Sequence, residues 1–118
     1  MLIERSDKNP ILIPNKNNSW EAEAVFNGCP VKKGKEIFLL YRAMSPLSVS
    51  SIGIAKSKDG VAFYNRQQFI TPKHSWERFG CEDPRVTKLD NQYYIFYTAL
   101  STYPPVAGSV KVGLAISK

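Results

Sequence analysis

The segment EIFLLYRAMSPLSVSSIGIA (residues 36–55) returns as QYYIFYTALSTYPPVAGSVKVGLA (residues 92–115), with four extra residues in its middle. The dipeptide Trp-Glu stands ahead of each copy. Matching positions lie 56 residues apart: Trp20-Glu21 with Trp76-Glu77, Tyr41 with Tyr97, Ala43 with Ala99 and Ser45 with Ser101. A repeat of this length predicts a supersecondary unit that cannot bury its apolar face alone and must stack on a neighbour.

Each copy is rich in β-branched and aromatic residues, and no stretch shows a sustained helical period. These patterns predict strands over Glu36–Arg42, Ser51–Ser57, Gln92–Thr98 and Ser109–Ser117, with shorter strands at Ala24–Phe26, Val61–Tyr64 and Arg85–Lys88. Short strands with many prolines and glycines are typical of a sandwich, a barrel or a propeller. The repeat favours an all-β chain made of β-propeller blades, namely two four-stranded antiparallel blades.

The whole chain, residues 1–118, is interpreted as one partial propeller unit with blades at about 1–60 and 61–118. The segment Ile11–Pro14 is predicted to be an outer strand, and the second blade then lacks its own outer strand. Two blades cannot close a ring, and open sheet edges invite pairing. We therefore expect either part of a longer propeller of the five-bladed type or, preferably, self-association of the chain.

Composition excludes several classes of protein. The chain has 118 residues and a formal charge of +6, but its basic residues are scattered and no nucleic-acid recognition motif accompanies them. An anionic ligand such as phosphate is a better use of that charge. No apolar run has the length of a membrane span and the first residues lack a signal-peptide core, so we expect a cytoplasmic protein without membrane or nucleic-acid partners. Cys29 and Cys81 have no metal-site spacing, and we expect no metal and free thiols.

The two copies differ most at Glu82-Asp83-Pro84-Arg85, which aligns with Phe26-Asn27-Gly28-Cys29. Pseudo-rotation about a propeller axis would place Asn27 and Asp83 around the same central funnel, where an amide and a carboxyl suit a polyhydroxyl ligand. Pro84 predicts an extended Asp83. The alternative role for Asp83 is an Asx-type turn at a strand end.

Arg42 stands where the second copy has Thr98, at the end of an apolar strand. A charge at such a position must find a partner. A ligand hydroxyl, a phosphate or Asp83 itself could serve. Since Trp-Glu occurs in both copies, we interpret it as blade packing rather than as a sugar-stacking platform.

In order along the chain, the motifs NPIL (9–12), WE (20–21), AVFN (24–27), LLYRA (39–43), IGIA (52–55), SKDG (57–60) and GCEDPRV (80–86) resemble glycoside hydrolase family 130. This resemblance covers nearly the whole chain. It implies a five-bladed propeller with a sugar site in the central funnel, in inverting enzymes that mostly use phosphate to break a β-mannosidic bond and release mannose 1-phosphate.

Residue by residue, the resemblance implies that Asp83 is the proton donor, acting through a hydroxyl of the mannose ring. Asn27 and Arg42 would contact the mannose, and Arg85 would lie beside the acid. Glu82 is a further substrate-binding candidate. No cofactor is expected, with inorganic phosphate as co-substrate.

Two other functions stay open. The first is a non-catalytic carbohydrate-binding or assembly module. The second is an inverting β-mannosidase, whose general base would be a carboxylate roughly 6.5–9.5 Å from the acid.

Overall fold

The computed structural model describes all residues 1–118, and it is all-β as predicted. Seven strands and one 3-10 helix follow in order: β1 Ala24–Lys33, β2 Glu36–Met44, β3 Ser50–Ser57, β4 Tyr64–Ile70, the 3-10 helix Ser75–Glu77, β5 Gly80–Leu89, β6 Gln92–Leu100 and β7 Val110–Ser117. The structure contains no helix with the length and hydropathy needed to span a membrane.

The strands form two antiparallel groups that follow the sequence repeat. The first group is β1-β2-β3-β4 and the second is β5-β6-β7. A single parallel bridge, Ser50 with Gly80, joins β3 to β5. Because β4 pairs with β3, the first group runs to Ile70, past the boundary drawn near residue 60. The division into blades otherwise stays a prediction.

Two sequence predictions about the outer strands are wrong. Residues Ile11–Pro14 form no strand, and the strand predicted at Val61–Tyr64 begins only at Tyr64. Prolines 10 and 14 lack the N–H that a ladder needs. The N-terminal segment instead lies against the first group, where the Arg66 side chain donates to the carbonyl of Ile13 at 2.7 Å.

The residues shared by both copies build one packing device. Tyr41 donates its hydroxyl to the buried carboxylate of Glu21 at 2.8 Å, and Tyr97 does the same to Glu77 at 2.8 Å. The tyrosine ring then lies directly over a glycine on the next strand. A Cβ on Gly53 would stand 2.5 Å from Cζ of Tyr41, so no larger residue fits there. This geometry explains the repeated Trp-Glu, Tyr and Ile-Gly-Ile motifs and agrees with the packing role predicted for Trp-Glu.

The main core lies between the two strand groups. It joins Leu40 and Ile52 of the first group to Ile95, Tyr97 and other side chains of the second. A second cluster, built on Leu39 and Tyr41, covers the opposite face of the first group. Both cysteines are free, with Cys81 buried and Cys29 half-buried. The stacking of one group on the other brings the residues that differ between the copies next to each other.

Candidate functional site

Matching β-bulges in the two copies place the central residues of the site. In β1 the pairing shifts register between Phe26 and Cys29, and in β5 it shifts between Glu82 and Arg85. The extra residues include Asn27 and Asp83, and each has a φ of +51°. Asn and Asp are the non-glycine side chains that accept this left-handed conformation most readily. The extended Asp83 predicted from Pro84 is therefore wrong, because the bulge overrides the local preference of the residue before a proline.

The bulges bring Asn27 and Asp83 into direct contact. Nδ2 of Asn27 in β1 donates to Oδ1 of Asp83 in β5 at 2.7 Å. The side chain of Asp83 is 35% exposed, and Asn27 is exposed. Only Oδ1 of Asp83 is engaged within the chain. Oδ2 is therefore open to a ligand at an accessible position.

Arg42 lies beside this pair and is held from several directions. Its Nη2 donates to Oε1 of Glu82 at 2.6 Å, and its Nε donates to Oγ of Ser50 at 3.0 Å. The guanidinium carbon stands 4.8 Å from the centre of the Phe26 ring, a cation–π distance. Nη1 lies 3.6 Å from Oδ1 of Asp83, close enough for an ion pair and too far for a hydrogen bond.

Glu82 is the more deeply buried of the two carboxyls in this cluster. Its side chain is 9% exposed. Burial raises the pKa of Glu82 above its usual value and the neighbouring Asp83 adds to the rise, while Arg42 and the Ser50 hydroxyl act in the opposite direction. The cluster thus contains an inaccessible carboxyl, Glu82, beside an accessible one, Asp83.

The structure brings together four of the five predicted site residues. Asn27, Arg42, Glu82 and Asp83 form one contact network, whereas Arg85 is exposed and donates to the carbonyl of Pro84 at 2.8 Å. Arg85 was predicted to lie beside the acid, but it makes no ion pair within the chain and does not contact Asp83 through its side chain.

Sequence reasoning missed two residues of the network, Phe26 and Ser50. The signal for both was the mismatch between copies. Phe26 stands opposite Glu82 in the alignment, and Ser50 occupies the position of Val110 in the second copy. At both positions, only the first copy carries the side chain that contacts the guanidinium of Arg42 from its own strand group.

The arrangement offers donors and acceptors for a hydroxyl-rich ligand at one point of the surface. An amide, a guanidinium nitrogen and a carboxyl oxygen are all available there. Two cavities of the chain, about 190 and 610 Å³, are mainly apolar and neither is lined by Asp83. No group of three or more His, Cys, Asp or Glu side chains converges that could hold a metal ion.

Comparison with known proteins identifies the family. The model of glycoside hydrolase family 130, described as β-1,4-mannooligosaccharide phosphorylase, matches residues 4–111. The chain is 38% identical to a β-1,2-mannobiose phosphorylase and 34% identical to a 1,2-β-oligomannan phosphorylase, both from Thermoanaerobacter sp. (strain X514), with 81% of the chain covered in each case. It covers 36% and 35% of those two proteins, so it spans about a third of the length of the curated relatives it matches.

A solved structure shows the same fold. The β-1,2-mannobiose phosphorylase of Listeria innocua, determined in complex with β-1,2-mannobiose, superposes with a TM-score of 0.78 over 96% of this chain and 47% of that one, at 22% sequence identity. This likeness confirms the predicted partial propeller. Together with the family model matched over residues 4–111, these findings show that the chain belongs to glycoside hydrolase family 130, the mannoside phosphorylase family.

Proposed function

We propose that this chain carries the sugar-binding and acid-bearing part of an inverting β-mannoside phosphorylase. One observation carries the proposal: matched bulges from both copies of the repeat bring Asn27, Asp83 and Arg42 into one accessible cluster. The phosphorylase activities of the relatives and their names support the choice of a β-mannoside as substrate and of phosphate as co-substrate.

In the proposed reaction, a phosphate oxygen attacks C1 of the mannosyl unit from the face opposite the leaving oxygen. The β-mannosidic C1–O bond breaks, and mannose 1-phosphate forms with inverted configuration. The proton of Asp83 passes through a hydroxyl of the mannose ring to the leaving oxygen, as the family resemblance implies. Asn27 and Arg42 hold the sugar hydroxyls during this step. Phosphate is the nucleophile, so the reaction needs neither a second carboxylate nor a metal or organic cofactor.

The test uses the 118-residue chain with β-1,2-mannobiose and inorganic phosphate, with release of mannose 1-phosphate followed by ³¹P NMR. We expect phosphate-dependent release that Asp83→Asn abolishes. Asp90→Asn is a matched control, because Asp90 is an exposed aspartate with nearly the same φ, +52°, in a turn outside the cluster. Sugar binding without turnover would instead support the carbohydrate-binding module. Absence of both binding and turnover would refute the proposal.

We also propose that the chain self-associates in the cytoplasm through the outer face of the second strand group. Exposed apolar side chains of that face include Phe96, Val112, Leu114 and Ile116. Three of them are the repeat equivalents of residues that the first group buries or half-buries against the second: Leu40, Ile52 and Ile54. A patch of this kind is typical of an interaction site.

The mass of the chain in solution tests this association. We expect an oligomer that Val112→Asp dissociates and that Lys111→Asp does not, because neighbouring residues of a strand face opposite sides of the sheet. A wild-type monomer at all concentrations would contradict the proposal.

A further inference from the structure

The guanidinium of Arg42 is fixed by residues from three strands and from both copies of the repeat. Nε is bound by Ser50 of β3 and Nη2 by Glu82 of β5, at 3.0 and 2.6 Å. The ring of Phe26 in β1 covers one face of the group. A planar guanidinium with two bound nitrogens and one covered face has a defined orientation. Nη1 is the nitrogen left without a hydrogen bond in the chain.

Glu82 itself is poorly placed to touch a ligand. Its side chain is 9% exposed, against 35% for Asp83, and its Oε1 is already occupied by Arg42. Glu82 can therefore influence a bound substrate only through a neighbouring residue. Such a route is available through Nη1 of Arg42, which stands 3.6 Å from Oδ1 of Asp83 and can share a ligand hydroxyl with it.

We propose that Glu82 is a positioning residue of the mannoside site, which acts on the sugar only by orienting Arg42. Phe26 supports the same guanidinium from the position that Glu82 occupies in the other copy. The inference rests on the proposed function, since it assigns the residues that prepare the sugar-binding arginine. It separates the two adjacent carboxyls of the Glu-Asp-Pro-Arg motif into one that meets the ligand and one that does not.

The test measures Arg42 and sugar binding in the same samples of the full chain. Glu82→Met removes the carboxylate at similar length, Glu82→Gln keeps an acceptor oxygen, and Phe26→Leu keeps apolar volume at an exposed position. Glu36→Met is the matched control, because Glu36 also faces a cation across the strand pair β2-β3, Lys56 at 4.0 Å, but its side chain is more exposed than that of Glu82. The Nε–Hε signal of Arg42 and its exchange with water report the orientation of the guanidinium by NMR. Titration with β-1,2-mannobiose gives the affinity.

We expect Glu82→Met to speed exchange at the Arg42 Nε–Hε group and to weaken mannobiose binding about tenfold, the loss typical of a charge-assisted hydrogen bond. Glu82→Gln should lose less, Phe26→Leu should shift both readouts in the same direction, and Glu36→Met should change neither. If the wild-type chain binds no mannoside, the proposed function fails and the inference fails with it. If wild-type and Glu82→Met bind equally well, or if exchange at Arg42 is unchanged in Glu82→Met, the positioning role alone is overturned. Should Glu82→Met not fold, Phe26→Leu decides by the same two readouts.

Discussion

Replacing Tyr97 by Phe removes one oxygen from the packing device of the second strand group. The lost hydroxyl donates to Oε2 of Glu77 at 2.8 Å, and Glu77 is 2% exposed. The only other donor to that oxygen is the weak Sγ–H of Cys81 at 3.5 Å. Hydrogen bonds to charged groups stabilise proteins by about 1.5–3 kcal/mol. We expect Tyr97→Phe to lower the free energy of unfolding at pH 7 by about 2 kcal/mol.

The loss should depend on pH in a defined direction. Burial alone would raise the pKa of Glu77, but hydrogen bonds from Tyr97, the backbone N–H of Lys73, Cys81 and the backbone N–H of His74 hold it below its usual value. A carboxyl with a lowered folded-state pKa stabilises the protein above its unfolded pKa, about 4.3 for Glu, and this contribution disappears as the pH falls through the folded pKa. Tyr97→Phe removes one of the hydrogen bonds that lower the folded-state pKa of Glu77, so this pKa moves closer to the unfolded-state value. The stabilities of wild type and variant should therefore converge below about pH 4.

Urea unfolding, followed by tryptophan fluorescence and far-UV circular dichroism at pH 7 and pH 3.5, measures both effects. Tyr94→Phe is the control on the same strand, because its hydroxyl donates to the neutral side chain of Gln92 at 3.1 Å. We expect Tyr94→Phe to change the free energy of unfolding by under about 1 kcal/mol at either pH. Equal losses for the two variants, or a loss for Tyr97→Phe that does not shrink in acid, would refute this account of the repeat.

Three further substitutions probe the packing device and the site. Gly53→Ala forces a Cβ into the buried ring of Tyr41 on the next strand. It should lower the free energy of unfolding by about 1–3 kcal/mol in the same urea assay. An unchanged free energy would contradict the close approach of the Tyr41 ring to Gly53. Arg42→Met strands a buried carboxylate and should destabilise by about 3 kcal/mol at pH 7. Since burial already raises the pKa of Glu82, this loss should grow as the pH rises above about 4.3, and Glu82→Gln in the same chain should recover most of it. Asn27→Asp places a second carboxyl against Oδ1 of Asp83, so we expect weaker mannobiose binding by titration and a stability deficit that grows as the pH rises above about 3.9, the unfolded pKa of Asp. Unchanged affinity would argue against this pair as the sugar site.

Much of the fold could be predicted because the same strand pattern occurs in both copies of the repeat. Strands β2, β3, β6 and β7 were located to within two residues from aromatic and β-branched runs that occur twice. The outer strands could not be located in the same way. The segment Ile11–Pro14 is apolar enough for a strand, but Pro10 before it and Pro14 at its end lack N–H groups for a ladder, and its Ile13 carbonyl accepts from Arg66, more than fifty residues away.

The site was predictable at the level of residue pairs and not at the level of geometry. Aligning the copies pointed to Asn27 with Asp83 and to Arg42 with Thr98. The left-handed bulges and the contacts of Phe26 and Ser50 with the guanidinium depend on how neighbouring strands pair, which no local sequence pattern encodes.

The asymmetry between the copies also fixes how the two strand groups stack. The apolar contacts in the core between them are not directional, so they distinguish neighbouring arrangements less sharply than a pair of opposite charges does. Arg42 comes from the first copy and Glu82 from the second, and their side chains are 20% and 9% exposed. A slipped arrangement would leave both charges unpaired, at a cost of about 3–5 kcal/mol. The ion pair that prepares the candidate sugar site is thus also the contact that makes one stacking of the blades better than its neighbours. Stability and sugar binding should therefore fall together in Arg42 variants, and separate in Phe26→Leu, which loosens the guanidinium without stranding a charge.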